Sequence, residues 1–411
     1  MASSKRLEKN FQHLAGIGQE SSGGFTRLAF SDTDWEAREF VIGLMKQAGL
    51  VIRVDAFGNV IGRREGVNPA ASVIMTGSHI DSVPHGGNYD GVVGTLGAIE
   101  ALQCLEEAGE KNYHPIEVVV FMSEESSRFG VATLGSKAFC GKLSREKLDE
   151  LKDKQGLSLA DVLRQRNLSP DNIAEAHYKG GIKSFLEIHI EQGKVLETTQ
   201  NQLGVVTGIA APTRLRVMFT GQADHSGATP MNMRQDALTA AAEIILQVEA
   251  FANEEAHNAV VGTTGIVKAE PGVMNVIPGK VELGIDIRGI DAPSKQRVVD
   301  KLKAEFEAIK KKRGVGIEVV VLSDDTPVKL PDHMVEFLYD ICQQSSYKSI
   351  RMPSGAGHDA MHIATLADTG MVFIPCRDGI SHNPAEHAKI EDITAATEVL
   401  TKAIQKLAAK E

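Results

Sequence analysis

Four short segments of this chain concentrate the side chains that bind metal ions. The first is Gly77-Ser78-His79-Ile80-Asp81, which runs on through Gly86, Gly87 and Asn88 to Asp90-Gly91. The second is Met122-Ser123-Glu124-Glu125, and the third is Glu187-Ile188-His189-Ile190-Glu191-Gln192-Gly193. The fourth is Gly379-Ile380-Ser381-His382-Asn383-Pro384. Imidazole and carboxylate together suit zinc, manganese, cobalt or nickel, and two adjacent metals need one carboxylate that bridges them. Asp81, two residues after His79, is of the type that orients a ligand imidazole. Asp90 opens the next helix, where its carboxylate can bridge. Taken singly, each piece has an ordinary reading. A histidine after a strand is commonly a hydrogen-bonded structural residue. A Glu-Glu pair is commonly an acidic loop, and the glycines at 86–94 make a turn and a helix start. The argument for chemistry is that all four segments recur at strand ends.

Those strands follow from the apolar patterning. Ser72–Gly77, Ile116–Met122 and Ser184–Ile188 read as short buried strands, the second carrying Val118, Val119, Val120 and Phe121. Trp35–Ala48 reads as a helix stopped by Gly49, and 91–108 as a helix rich in small residues. The alternation resumes near the C-terminus with a helix from Met334, a strand at Met371–Ile374 and a helix from Glu391 to the end. This predicts an α/β layer with a mostly parallel sheet and helices on both faces. Ligands of such sheets bind beyond the carboxyl ends of the strands.

The middle of the chain differs. It reads as strand 215–220, helix 234–252, strands 260–267 and 281–288, helix 294–312 and strand 317–322. That β-α-β-β-α-β order predicts an inserted ferredoxin-like unit. The expected division is a discontinuous catalytic domain, 1–211 with 326–411, around an inserted dimerisation or lid domain, 212–325. A chain of 411 residues is long enough for two or three domains. Its 42% hydrophobic and 24% charged residues are those of a soluble globular protein, and a net charge of -10 argues against nucleic acid as a partner. Cys104, Cys140, Cys342 and Cys376 form no Cys-x-x-Cys pair, and their wide spacing suits a reducing compartment. Met1–Asn10 is polar and has no apolar h-region, and no apolar run approaches the ~20 residues that span a bilayer. A cytoplasmic protein is expected. A dinucleotide-dependent oxidoreductase would also fit an α/β sheet, but no Gly-x-Gly-x-x-Gly joins a strand to a helix.

The segments GSHIDSVPHGGNYDG, SEESSRFG, LEIHIEQG, ADHSGATPM, MNVIPGKVELGIDIR, SGAGHDA and GISHNPAEH resemble those of the M20-type metallopeptidase superfamily. More narrowly they resemble its hydantoinase/carbamoylase branch, from about Gly23 to the C-terminus. That branch holds N-carbamoyl-L-amino-acid hydrolases, allantoate amidohydrolases, ureidoglycolate hydrolases and β-ureidopropionases. The resemblance implies two divalent metals per chain: one on His79, Asp90 and His189, the other on Asp90, Glu125 and His382. Glu124 would be the general base acting on a metal-bridged water, with Asp81 behind His79. His225, Asn275 and Arg288 would bind substrate from the inserted domain, with Gln192, Gly357 and His358 lining the pocket from the catalytic side. His225 would also act in catalysis, across the interface of a homodimer. The exposed sheet edges of the inserted unit, which need covering, point to that homodimer too. The implied substrate is a small carboxylate-bearing ureido compound. Within the branch, 55–63 (DAFGNVIGR) looks closer to carbamoyl-amino-acid hydrolases, and Ala210-Ala211-Pro212-Thr213-Arg214 departs from the Gly-Gln type associated with allantoate enzymes. N-carbamoyl-L-amino acid is therefore the first expectation and allantoate the second. A non-catalytic relative of the same fold is disfavoured, because Glu124 and all five ligand types are present.

Overall fold

The computed structural model describes residues 1–21 and 23–410. The chain divides into two compact units, Met1–Thr207 with Leu330–Met352 and His358–Glu411, and Gly208–Lys329 with Pro353–Gly357. The larger unit begins with helices α1 (Ser4–Gly16) and α2 (Asp32–Gln47). Strands β1 (Val51–Val54), β2 (Val60–Arg64) and β3 (Val73–His79) follow. Helix α3 (Val92–Glu107) leads to β4 (Ile116–Phe121), β5 (Ile182–Ile190) and β6 (Leu203–Ile209). Between β4 and β5 lie three short helices, Leu134–Phe139, Arg145–Glu150 and Leu159–Gln165. They bury Leu134, Leu148, Leu159 and Leu163 against Phe57 and Met122.

The smaller unit runs β7 (Ala211–Thr220), α4 (Ala237–Glu254), β8 (Val261–Glu270), β9 (Lys280–Gly289), α5 (Ala292–Arg313) and β10 (Gly316–Asp324). The chain then returns to the larger unit through α6 (Asp332–Gln344), β11 (Asp368–Ile374) and α7 (Ile390–Leu407). The closing helix expected to reach the chain's end stops at Leu407, and Glu411 lies outside the described residues.

In the larger unit the strand order is β1-β2-β4-β3-β5-β11-β6. The central pairs β4-β3, β3-β5 and β5-β11 are parallel. The flanking pairs β1-β2, β2-β4 and β11-β6 are antiparallel. The parallel character is therefore confined to the centre. Every residue of β3 and β4 is buried, as is Ser184–Ile190 of β5. Such unbroken burial is what a sheet covered on both sides shows. Helix α3 is buried along nearly its whole length and packs on β3, β5 and α7.

In the smaller unit the order is β10-β7-β9-β8, and all three pairs are antiparallel. Its core joins alternate residues of β7 and β9 (Leu215, Val217, Phe219; Val281, Leu283, Ile285, Ile287) to Ala240, Ile244 and Val248 of α4 and Val298, Leu302 and Phe306 of α5. Period-two strands and period-3.6 helices meet there on one apolar face.

Candidate metal centre

Parallel pairing brings the candidate ligands to one end of the central strands. His79 is the last residue of β3 and lies in register with Phe121, the last of β4. His189 sits inside β5, in register with Phe373 of β11. The two histidines thus belong to the strands themselves, which run two residues past the expected ends at Gly77 and Ile188. The loops that follow are conformationally demanding. Ser123, Gln192 and His382 have φ of 58°, 58° and 56°, the left-handed region that side chains other than glycine rarely adopt. Gly91 has φ 66° because nothing larger fits, since a Cβ there would lie 2.3 Å from His79 Nε2.

Asp90 lies at the centre. Its Oδ1 is 3.7 Å from His79 Nε2 and 3.2 Å from His189 Nε2, while its Oδ2 is 3.2 Å from His382 Nε2. His382 Nε2 is also 3.1 Å from Glu125 Oε1. Two donor groups result, His79-Asp90-His189 and Asp90-Glu125-His382, with Asp90 in both. Both strand histidines point Nδ1 at a carbonyl, His79 at Asp81 O (3.1 Å) and His189 at Ile190 O (2.9 Å). A carbonyl only accepts, so each Nδ1 carries a proton and Nε2 is the nitrogen left to face the centre. Burial opposes protonation, yet contacts with Asp81 and Asp90 for His79 and with Asp90 for His189 hold both imidazoles above their usual pKa. Glu124 belongs to neither group, and its Oε2 is 3.8 Å from His79 Nε2.

A third group of metal-binding type, Glu187-His189-His358, shares His189. With Nδ1 committed to Ile190, His189 has one nitrogen left, and that nitrogen faces Asp90. Glu187 instead accepts the Ser78 hydroxyl at 2.7 Å. His358 is buried with its ring edge-on to His189, centroids 4.5 Å apart. Burial, then the neighbouring His189, pushes the His358 imidazole well below its usual pKa, so it is neutral.

Other residues brace the donors. Asp81 accepts the backbone N–H groups of Glu124 and Glu125, both at 3.1 Å, and its Oδ1 is 3.6 Å from His79 Nδ1. One carboxylate therefore ties the loop after β4 to the one after β3. Gln192 donates to Asp90 Oδ2 at 2.7 Å. Two bracing residues had no role assigned from sequence, although Glu386 lies in the quoted segment GISHNPAEH. Arg27, fully buried, donates to the carbonyls of Ile80, Leu14 and Ile17 at 3.1–3.2 Å. Glu386 contacts the loops of both Asp90 and His382.

The electrostatics suit cations. Burial opposes ionisation of Asp90, yet contacts with His189, His382 and His79 outweigh it and hold the carboxyl well below its usual pKa. Hydrogen bonds to Asp90 and then Glu125 push the His382 imidazole up to about 11. Burial raises Glu124 well above, and Glu125 above, the usual carboxylate range. Three carboxylates packed in low dielectric with imidazole nitrogens aimed among them are a donor set that divalent ions satisfy.

The other expected site residues lie in the smaller unit. His225 and Asn275 are neighbours there. Asp224–His225 pairs with Val276–Ile277, and Ser226 N–H donates to Asn275 O at 3.1 Å. His225 is exposed, and its Nδ1 accepts from Gly227 N–H (3.0 Å) and Ala228 N–H (3.1 Å), which leaves the proton on Nε2. Arg288 is half-buried. Its Nε and Nη2 both donate to Asp286, at 2.9 and 3.2 Å, and Nη1 donates to Gly355 O at 3.4 Å. Asp286 also accepts from Arg214 Nε at 3.0 Å. Gly357 lies in the loop after Ser349–Ser354.

Residues 75–406 match the model of peptidase family M20/M25/M40. The chain belongs to that family. A protein named N-carbamoyl-L-amino acid amidohydrolase, from Geobacillus stearothermophilus, is 40% identical over 411 residues, which cover 99% of each chain. The allantoate amidohydrolase of Escherichia coli K12 is 34% identical, over 98% of this chain and 97% of its own. A crystal structure of a hydantoinase/carbamoylase family amidase from Burkholderia multivorans superposes with a TM-score of 0.92 at 34% identity, covering 100% of this chain and 98% of that one. This M20 chain is a hydrolase, and its relatives act on C–N bonds in non-peptide amides. Among the described residues, no helix is long and apolar enough to cross a membrane.

Proposed function

We propose that this chain hydrolyses the carbamoyl C–N bond of N-carbamoyl-L-amino acids, with water, to amino acid, carbon dioxide and ammonia. The observation that carries the reading is Asp90, which turns one oxygen to His79 and His189 and the other to His382. That arrangement suits two divalent ions, zinc, manganese, cobalt or nickel, with Asp90 between them. When bound, they polarise the ureido carbonyl and make water nucleophilic at neutral pH. Glu124, beside the donor groups yet outside them, takes the proton of the attacking water and passes it to the leaving nitrogen. Asp81 holds His79 and the Glu124-Glu125 loop. His225 donates Nε2–H to the oxygen that gains charge.

Arg288 binds the substrate carboxylate. Because Asp286 occupies its Nε edge, the contact is made through the outer Nη edge. Asn275, Gly357, Gln192 and His358 complete the substrate contacts. Similarity to the Geobacillus relative along the full chain supports the carbamoyl-amino-acid reading, and similarity to the Escherichia coli protein supports allantoate as the second. Ureidoglycolate and β-ureidopropionate are further members of the same substrate class.

The smaller unit is assigned to the ferredoxin-like class and to dimerisation. Its edge strands expose Val261, Ile266 and Val267 on β8 and Val319, Val320, Val321 and Leu322 on β10, apolar edges that a second copy would cover. The four buried, free cysteines fit a cytoplasmic location. Ammonia release is the test, run over carbamoyl-methionine, carbamoyl-β-alanine, allantoate, ureidoglycolate and a dipeptide. Carbamoyl-methionine should be turned over best, chelator should abolish the activity and added divalent metal should restore it. Full activity in metal-free protein would overturn the reading, and preference for allantoate would move the assignment to the second substrate.

A further inference from the structure

Glu386 holds the backbone of two ligand loops that are about three hundred residues apart in sequence. Its carboxylate is buried. Oε1 accepts the N–H groups of Tyr89 (2.8 Å) and Asp90 (3.1 Å), and Oε2 accepts the Ser381 hydroxyl (3.0 Å) and the His382 N–H (3.3 Å). Three of the four partners are backbone N–H donors, and they need an acceptor on both oxygens, which the amide of a glutamine cannot offer. The seat is shaped for this side chain. A Cβ at Gly87 would lie 2.2 Å from Glu386 Cδ and 2.3 Å from its Cβ. Ser381 completes the link, since its hydroxyl also lies 2.7 Å from Asp90 Oδ2. That oxygen is the one facing His382. His382 itself needs external support, because its φ of 56° is unfavourable and its side chain is 49% exposed. His79 and His189 have no such need. They are buried strand residues, each fixed by its own carbonyl contact.

We propose that Glu386 is a positioning residue that sets the affinity of one ion selectively, the ion of the Asp90-Glu125-His382 group. The inference rests on the two-ion reading above. Removing Glu386 frees the loop of His382 and one side of Asp90, while the pair of strand histidines stays in place.

The test is a calorimetric titration of Mn²⁺ into the chelator-stripped full chain. The native chain should bind two ions. Glu386→Gln, whose amide nitrogen faces two donors, should keep one site near native affinity and weaken the other about 10–100-fold. Turnover should return at saturating Mn²⁺ with KM unchanged, which a general loss of structure would not allow. Gly87→Ala keeps the carboxylate but crowds it from its seat. It should give the same selective loss, and it carries the test if Glu386→Gln does not fold. Two ions at native affinity in the variants, or equal weakening of both, would overturn this inference alone. A native chain that takes up no metal would overturn the two-ion reading and the inference together.

Discussion

His189 and His225 are the same residue set in opposite surroundings. His189 is buried in the interior of β5, and its Nδ1–H is spent on Ile190 O, so Nε2 is the nitrogen left to face Asp90. His225 is exposed in a turn, and its Nδ1 lone pair is spent on two backbone N–H groups, so Nε2 offers a proton. In each case the main chain engages Nδ1, and that decides what Nε2 is suited to do in the proposed mechanism. The contrast extends to the neighbours. The larger unit interlocks its groups, with Asp81, Gln192, Ser381 and Glu386 all bonded to ligands or their loops. The smaller unit holds Arg288 and His225 by local contacts within a few residues, apart from Gly355 O. The larger unit is thus built to hold donors still, and the smaller one to present groups outward.

The largest expected effect comes from the interlocked side. Glu124→Gln should lower turnover about 10²–10⁴-fold while both ions stay bound, whereas Glu125→Gln should weaken one ion. Metal content measured beside kcat separates the two, and near-native turnover of Glu124→Gln would remove it as the base. Next comes His225→Ala, which should cost about 10²–10³-fold in kcat with metal content and thermal midpoint near native. If His225 serves the partner chain, a mixed dimer of His225→Ala and Glu124→Gln chains has one intact site and should regain about half the native rate. No recovery in verified mixed dimers would confine His225 to its own chain.

Arg288→Ala should raise KM for carbamoyl-amino acids about 10–100-fold, the loss of hydrogen bonds to a charged group. An amide-capped substrate should be poor for the native chain and indifferent to the change. Equal handling of acid and amide by the native chain would count against the carboxylate contact. The smallest effect concerns protons. Contacts with Asp90 and Glu125 raise His382 to about 11, so in the metal-free chain it is protonated at neutral pH. Metal uptake must expel that proton, and affinity should therefore rise with pH below about 11. Calorimetry at pH ~7.5 in buffers of different ionisation enthalpy should detect at least one proton released, since His79 is held above its usual pKa as well, and none would reverse the assignment.

Much of this architecture is legible in the sequence because it is locally encoded. The runs around Val118–Phe121 and Ser184–Ile188 mark buried strands, and the α4 and α5 patterns fall within a few residues of their observed bounds. The hairpin β1-β2 escapes notice because β1 is an edge strand with an irregular pattern, its Val51 71% exposed. The helices Arg145–Glu150 and Leu159–Gln165 are too short to display a period. Their signals were the caps, since Ser144 accepts from Lys147 N–H and Ser158 from Asp161 N–H. The ligand residue types are legible for the same local reason. Glu386 is different. Its anchoring partners Tyr89 and Asp90 are 297 and 296 residues away, and no spacing rule connects them.

The left-handed backbone of the ligand loops also bears on how this protein tolerates change. Gln192 and His382 adopt that conformation while their side chains are in use, so relieving the backbone there would remove a contact to Asp90. Ser123 adopts it too, with a buried hydroxyl that has no hydrogen-bond partner. Left-handed geometry costs roughly 1–2 kcal/mol for a residue with a Cβ, against about 0.5–1 kcal/mol of extra chain entropy for glycine. Ser123→Gly should therefore raise the thermal midpoint slightly, and a lower midpoint would show that the serine side chain contributes packing worth more than the relief. Of the three strained positions, this one leaves room for evolution or engineering to gain heat resistance without touching a metal ligand.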